Sequence, residues 1–207
     1  MAERLESNEN EATPQLAELE GVSNVLLLSP SLGPGKNETC HELLTQTDPT
    51  ETNVLLVSFT DTPSDLVAEW DDFAGVSPSR GGIVSVGEPG ASVEDPAWAV
   101  KSVENPADLT GIGIQLSEML SGIANAAEVD DQPIVVCFDS ITSLLQYADL
   151  QRTFRFLHVV TGRVKSVGAV GHYHVDPAAH DDQDLATLKG LFDAVVEVDD
   201  GEITVQR

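Results

Sequence analysis

Basic residues and cysteines are scarce in this chain of 207 residues. Ten Lys and Arg residues stand against 35 Asp and Glu residues, and cysteine occurs only twice. Because binding to nucleic acid depends on Lys and Arg at the phosphate backbone, this composition disfavours a nucleic-acid partner. The densest group of cations is predicted on a helix, as a solvated face or a subunit contact, and comprises Arg152, Arg155, Arg163 and Lys165. Two cysteines do not frame a disulfide scaffold, so we expect a reduced, cytoplasmic setting in which Cys137 packs as a small apolar side chain.

Long apolar runs are also missing. No run approaches the roughly 18 residues needed to span a bilayer, and the first 20 residues are acidic rather than basic and then apolar. We therefore expect neither a membrane span nor an export signal. The net charge of −25, together with very few lysines, is typical of proteins from salt-accumulating archaea, whose surface carboxylates keep them soluble. The charge thus indicates a halophilic surface in preference to an acidic docking face.

The apolar pattern predicts an acidic tail over residues 1–20, either disordered or a loosely docked helix, and a single domain over residues 21–207. Short apolar runs, near-continuous as in strands buried on both faces, lie at 25–28, 54–59, 83–86, 134–138, 167–170 and 194–198, with an edge strand at 203–206. Helical patterns alternate with them at 38–45, 63–73, 109–128, 143–165 and 186–192, and residues 87–108 are predicted to form a long loop. This alternation predicts an α/β fold with a mostly parallel sheet, flanking helices and an antiparallel C-terminal edge.

Residues 25–37 have the outline of a phosphate-binding loop, because an apolar strand runs into a Gly-Pro-Gly turn that precedes a helix. The signature G-x-x-x-x-G-K-[ST] is matched at Gly35 and Lys36, but Pro30 replaces its first Gly and Asn37 its Ser or Thr. Pro30 removes an N–H donor, and the Asn37 amide is a weaker magnesium ligand than a hydroxyl in that position. Lys36 could instead be a surface lysine, although lysine is too scarce here to favour that alternative. We assign phosphate binding to Gly33, Pro34, Gly35, Lys36, Asn37 and Glu38.

Asp139 follows the apolar residues 134–138, so its carboxylate should emerge at the same sheet edge as the loop. Nucleoside triphosphatases need a carboxylate there to hold magnesium. An Asp at this place can also merely cap the next helix. In combination with Gly35 and Lys36, the pattern predicts a nucleotide site in which Asp139 and Asn37 hold Mg²⁺ through the nucleotide.

Together, the loop strand, residues 54–63, residues 135–141 and residues 190–198 resemble the KaiC-like branch of the RecA-fold P-loop ATPases. They also resemble the small, uncharacterised KaiC-related proteins of haloarchaea, over roughly residues 22–207, and the Phe-Asp-Ser-Ile segment at 138–141 is the most specific part. The resemblance implies a RecA-like core, ATP or ADP with Mg²⁺ as ligand, and homo-oligomer contacts that border the nucleotide. That family carries adjacent glutamates after the second strand, where this chain has Thr60 and Asp61. Asp61 is therefore the candidate base, and slow hydrolysis or none is implied.

Residues 171–176 follow the predicted strand 167–170, so we expect them at the nucleotide edge. The resemblance makes His172 a candidate sensor of the terminal phosphate. Alternatively, His172 and His174 share one face of an extended segment and could bind a metal together with Asp176 or His180. They could also be ordinary loop histidines.

The sequence leaves two functions open. The first is an ATP/ADP-dependent regulatory switch with weak or absent hydrolysis, which Lys36 and Asp139 favour. The second is a pseudo-ATPase that binds no nucleotide and serves as an interaction module in signalling or transcription control, which Pro30, Asn37 and Thr60 favour. In either function, the expected partner is a second copy of the chain or a regulatory protein.

Overall fold

The structure is a computed structural model that describes residues 16–31, 36–88, 90, 92–199 and 201–207. Within these ranges the strands are β1 (Asn24–Leu28), β2 (Asn53–Ser58), β3 (Arg80–Val86), β4 (Trp98–Val103), β5 (Ile134–Asp139), β6 (Val170–Val175), β7 (Ala194–Asp199) and β8 (Glu202–Gln206). They form one sheet in the order β4-β3-β2-β5-β6-β1-β7-β8. All neighbours are parallel except β7 and β8, which confirms the predicted α/β fold with its antiparallel C-terminal pair.

The described helices are α1 (Lys36–Leu44), α2 (Pro63–Ala74), α3 (Leu109–Asp130), α4 (Ile141–Leu144), α5 (Leu150–Ser166) and α6 (Asp182–Lys189). Five of them begin at a side chain that accepts a hydrogen bond from the N–H three residues later; these caps are Thr62, Asp108, Ser140, Asp149 and Asp181. Such caps satisfy N–H groups that the first helical turn leaves without a partner. In the described ranges, no helix combines the length and apolar character needed to cross a membrane.

The two faces of the sheet carry separate apolar cores. β1 and β2 are buried along their whole length, so their side chains alternate between the two faces of the sheet. Helices α3 and α5 cover one face around Phe138 and Tyr173. Helices α1 and α2 cover the other face, where Trp70, Trp98 and Cys137 pack together with Leu56. The sheet is therefore a middle layer between two layers of helices.

Strand β4 corrects the predicted loop over residues 87–108. The first and last residues of β4 are buried, and the four residues between them are exposed or half-buried, as expected for a strand at the edge of the sheet. The Trp98 ring lies over Gly81 of β3, its partner in the register, where a Cβ would come within 2.3 Å of the indole. The glycine leaves room for the indole. The apolar pattern does not predict this strand because Lys101 interrupts its apolar residues.

Strand β6 corrects the predicted strand at 167–170. Helix α5 ends at Ser166, and Gly168 turns the chain with a φ of 70°, so the strand begins only at Val170. Because His172 and His174 are polar, the apolar pattern ended the strand too early. The predicted helix 143–165 is two helices, since Asp149 caps a new start for α5.

The amino-terminal tail predicted over residues 1–20 ends earlier than expected. Leu16–Leu19 form a 3₁₀ helix whose Leu16 and Leu19 are buried against β1 and β7. Residues 1–15, the rest of the predicted tail, lie outside the described residues.

Candidate functional site

The carboxyl ends of four parallel strands meet at one edge of the sheet. Ser58 of β2 and Asp139 of β5 are direct partners in the register, and the Asp139 carbonyl accepts a hydrogen bond of 3.0 Å from the N–H of Phe59. On the other side, the N–H of Ser29 donates to the carbonyl of Val175 at the end of β6. Helix α1 follows β1 and begins at Lys36. The predicted phosphate-loop residues Gly33, Pro34 and Gly35 lie outside the described residues, so only the helix that follows them is placed.

Three residues predicted to act on a nucleotide line one small pocket at this edge. These residues are Asn37 at the start of α1, Asp61 after β2 and Asp139 at the end of β5. Asn37 and its neighbour Glu38 are exposed, whereas Asp139 is half-buried. The sheet therefore brings together side chains that are 24 and 78 residues apart in the sequence.

Asp61, the candidate base, is held in a tight turn. Its Oδ2 accepts hydrogen bonds from Thr60 Oγ1 at 2.9 Å and from Ser58 Oγ at 3.3 Å. The Ser58 hydroxyl oxygen in turn accepts from the N–H groups of Thr60 and Asp61, at 3.2 and 3.0 Å. Because two hydroxyl groups already hold this oxygen, Asp61 is less able to reach and orient an attacking water molecule.

Asp139 does not serve as the cap of the following helix. Ser140 has that role, since its Oγ accepts a hydrogen bond of 3.0 Å from the N–H of Ser143. The capping alternative for Asp139 is therefore wrong. Its carboxylate stays at the strand end, where it lines the pocket.

Asp176 occupies the position just after β6 that was predicted for His172. Its Oδ2 accepts a hydrogen bond of 2.9 Å from the N–H of Ser31, the last described residue before the predicted phosphate loop. Partial burial alone would raise the pKa of Asp176, but the hydrogen bonds from Ser31 and Ala178 and the nearby His180 outweigh it and hold this pKa below its ordinary value. Asp176 thus fixes the chain that enters the loop.

His172 lies inside β6, three residues before the end of the strand, and its side chain is only 3% exposed. The expectation of His172 at the phosphate edge is therefore wrong in position, because the strand begins later than its apolar residues indicated. The predicted metal site, in which Asp176 or His180 joins the two histidines, is also wrong, because both residues have other partners. Asp176 turns to Ser31, and His180 Nε2 lies 3.0 Å from Thr142 Oγ1.

The two histidines of β6 instead meet the two cysteines of the chain. Cys137 of β5 is the register partner of His172, and its Sγ lies 3.5 Å from His174 Nε2. Cys40 of α1 lies above them, with its Sγ 3.2 Å from His172 Nε2 and 3.8 Å from Cys137 Sγ. One donor atom from each residue lies within 4.8 Å of all the others. We call these four residues the Cys/His cluster.

The Cys/His cluster lies beside the predicted nucleotide site, and its three strand residues are one to three residues before the carboxyl ends of β5 and β6. Cys137, His172 and His174 are buried and Cys40 is half-buried. The hydrogen bond with Cys137 holds the pKa of the Cys40 thiol well below its usual value, and the nearby histidines act in the same direction against the effect of burial. The thiolate is the form of cysteine that binds metals.

The sequence pairs His172 with His174 as possible metal ligands but does not connect them with the two cysteines. Cys40 and Cys137 are 97 residues apart, and the spacing shows no recognisable metal motif. Two signals could have connected them. His172 and His174 lie on one face of their strand, and Cys137 lies two residues before Asp139, on a strand whose carboxyl end was expected at the same sheet edge.

Comparisons with known proteins bear on the fold and leave the activity open. The model of a family of unknown function (DUF7504) matches residues 22–198. The fold is similar to that in a structural study of PH0250 from Pyrococcus horikoshii OT3, with a TM-score of 0.57 and 10% sequence identity. The match covers 93% of this chain and 91% of that chain. The uncharacterized protein PH0321 from Pyrococcus horikoshii, in complex with an unknown peptide, gives 0.59 at 11% identity, over 89% and 81%. At these identities the likeness shows the fold alone, and no curated protein matches the chain.

Proposed function

This chain belongs to the DUF7504 family of unknown function, and we propose that it binds ATP or ADP with Mg²⁺ and acts as a regulatory switch with weak or absent hydrolysis. In this proposal the domain is a RecA-like, KaiC-like core of a halophilic cytoplasmic protein. Gly33, Pro34, Gly35 and Lys36 hold the phosphates at the start of α1, and Asp139 holds the magnesium ion.

The observation that carries this proposal is the convergence of Asn37, Asp61 and Asp139 on one pocket at the carboxyl edge of a parallel sheet. Ligands of open α/β sheets bind at this edge, and the N–H groups at a helix start favour phosphate. A strand-end carboxylate beside that helix is the arrangement with which P-loop enzymes hold magnesium. Asp139 has this position, and Ser140 takes the capping role that would compete for it.

Two features support a switch in preference to an efficient hydrolase. Asn37 replaces the hydroxyl that normally binds magnesium, and Asp61 is held by the hydroxyl groups of Ser58 and Thr60. Magnesium placement and water activation are weakened together, and a misplacement of about 1 Å alone can reduce a rate roughly 10²-fold. Binding would then change the conformation of the loop and α1, and with it the contacts to a second copy or to a regulatory protein.

The experiment is a calorimetric titration of Mg-ATP and Mg-ADP into the protein in molar potassium chloride, the solvent that the acidic surface favours. We expect binding in the wild type and its loss in Lys36→Ala. Lys101→Ala is the matched control, because Lys101 is exposed on the distant edge strand β4. Equal heats in the wild type and Lys36→Ala, or no heat in either with a melting temperature that ignores nucleotide, would contradict the proposal.

A second function, a pseudo-ATPase that binds a protein partner, is favoured by the surface between α3 and α5. Ile114 and Val159 are 50% and 67% exposed there, and Arg152 and Arg155 line the same groove. Apolar side chains beside arginines are typical of protein interfaces. The likeness to PH0321, crystallised with an unknown peptide, is in line with this alternative. It predicts that Val159→Glu reduces capture of the partner while nucleotide has no effect.

A further inference from the structure

We propose that the Cys/His cluster is a structural zinc site in which Cys40, Cys137, His172 and His174 bind one Zn²⁺ ion. The proposal rests on the geometry of these four side chains and is independent of nucleotide binding.

The distances between the donor atoms fit a tetrahedral ion. With Zn–S of about 2.3 Å and Zn–N of about 2.0–2.1 Å, a tetrahedron separates two sulfur atoms by about 3.8 Å and a sulfur from a nitrogen by about 3.6 Å. The Sγ atoms of Cys40 and Cys137 are 3.8 Å apart. The two contacts between sulfur and Nε2 measure 3.2 and 3.5 Å. These three distances therefore lie close to those that zinc requires, and the other three pairs of donor atoms are within 4.8 Å of each other.

The donor set selects the metal and the type of site. Two thiolates with two imidazoles favour zinc over magnesium or calcium, which prefer oxygen ligands. Four protein ligands complete the tetrahedron and leave no open position for water or substrate. The site is therefore structural, with no direct part in catalysis.

The surroundings of the cluster also favour a bound ion. Cys137 packs in the apolar core with Leu56, Val135 and Trp70, on the sheet face covered by α1 and α2. Thiols form only weak hydrogen bonds with the imidazole rings beside them. A metal ion satisfies all four donors at once.

A small pocket provides a path for the ion. It has a volume of about 50 Å³ and is lined by Cys40, Cys137 and His174 as well as by Asp61 and Asp139 at the sheet edge. A space of this size admits water, and therefore also an incoming ion that loses its hydration shell at the edge.

Zinc at this site would connect α1 to the sheet directly after the phosphate loop. Cys40 lies one helical turn beyond Lys36, the first residue of α1, and the other three ligands are in β5 and β6. The ion therefore fixes the start of α1 relative to the strand that carries Asp139. In the unfolded chain these ligands are far apart, so metal binding free energy contributes to folding.

The test is to produce the full chain with zinc in the medium, purify it without chelator and measure its metal by mass spectrometry. We expect about one zinc ion per chain, as for a four-ligand structural site. Replacement by Co²⁺ should give the visible absorption of a tetrahedral site and a thiolate charge-transfer band. His172→Asn should weaken zinc binding by more than roughly 100-fold, the upper range for loss of a mere supporting contact.

Controls separate this site from chance binding and from misfolding. His158→Asn is the matched control, because His158 is exposed on α5; it should keep the zinc. Cys40→Ser changes only the half-buried ligand, so it provides a second variant if His172→Asn does not fold. Lys36→Ala should also keep the zinc, so failure of the nucleotide proposal and failure of this one are distinguishable.

Three results would overturn the proposal. The first is folded wild-type protein that holds no zinc and gives no cobalt spectrum. The second is a disulfide between Cys40 and Cys137 in protein prepared under reducing conditions, since the pair cannot be both oxidised and metal-bound. The third is equal loss of zinc in His158→Asn and His172→Asn, which would indicate adventitious metal.

Discussion

The Sγ atom of Cys40 lies 3.2 Å from Nε2 of His172, although 132 residues separate them in the chain. The contact joins α1, the helix after the predicted phosphate loop, to β6, the strand beside β1. The Cys/His cluster and the predicted nucleotide site therefore share one helix, α1.

Removal of zinc should destabilise the wild-type protein. An ion present at a thousandfold excess over its Kd stabilises the folded state by about 4 kcal/mol, which for a chain of this size corresponds to a Tm change of roughly 8–16 °C. Differential scanning calorimetry under reducing conditions, with and without chelator, measures the difference. The Tm of Cys40→Ser should not respond to the chelator, and an equal response in both proteins would contradict the prediction.

Restoring the hydroxyl at position 37 should strengthen nucleotide binding in a magnesium-dependent manner. We expect Asn37→Thr to lower the Kd for Mg-ATP roughly tenfold, about 1.4 kcal/mol, because the hydroxyl is the better ligand in that geometry. Calorimetry with Mg²⁺ and with EDTA separates the metal effect from a general change in the loop. Asn125→Thr is the matched control, because it makes the same change at an exposed residue of α3, on the opposite face of the sheet; it should leave the Kd for Mg-ATP unchanged. A gain that persists in EDTA would show that magnesium is not its cause.

Tyr173→Phe should lower the free energy of unfolding by about 1–3 kcal/mol. The Tyr173 hydroxyl donates a buried hydrogen bond of 3.0 Å to Asn24 Oδ1, and the variant leaves that oxygen without its partner. Burial also raises the pKa of Tyr173, in keeping with an O–H that stays protonated. Denaturant unfolding measures the change. Tyr147 is 49% exposed, so Tyr147→Phe should change stability by less than about 0.5 kcal/mol.

Gly81→Ala should destabilise the β3–β4 edge by about 1–3 kcal/mol, a typical effect of overpacking. The new Cβ would come within 2.3 Å of the Trp98 ring, which cannot move without leaving the core. Gly122→Ala provides the opposite case, because a Cβ there would meet no described atom within 4 Å and α3 gains a better helix former. Equal changes in the two unfolding free energies would argue against the contact with Trp98.

The stability provided by Asp176 should depend on pH. Its pKa is lower in the folded state than in the unfolded chain, so its carboxylate stabilises the fold above the unfolded pKa of about 3.9. That contribution is lost as the pH falls through the folded pKa. Asp176→Asn should therefore melt at a lower temperature than the wild type at pH 7, and the gap should close on acidification. A difference in melting temperature that stays constant with pH would show that the loss of stability comes from hydrogen bonding and not from the charge of Asp176.

Much of the fold could be predicted because buried strands carry a strong apolar signal. β1, β2 and β5 were found within one or two residues, since both of their faces are covered. β4 and β6 were missed or misplaced because Lys101, His172 and His174 interrupt the apolar pattern. The fold tolerates these polar residues because Lys101 lies on an edge strand of the sheet and the two histidines contact Cys40 and Cys137.

The site was predictable to the extent that it follows from sheet topology. Asp139 could be placed at a strand end because the residues before it are uniformly apolar. The Cys/His cluster could not, because its four ligands come from one helix and two strands, and no local spacing reports which strands become neighbours. Only the pairing of β5 with β6 brings Cys137 beside His172.

The position of β1 in the sheet sets the order in which the chain can fold during synthesis. β1 leaves the ribosome before the other described strands, yet its partners in the sheet are β6 and β7, from the last fifth of the given sequence. Strands β2 to β5 neighbour one another and can assemble earlier. Until residues 170–199 have been made, the apolar strand Asn24–Leu28 has no partner and offers a surface for aggregation. A chain truncated before β6 would therefore depend on a chaperone to remain unaggregated.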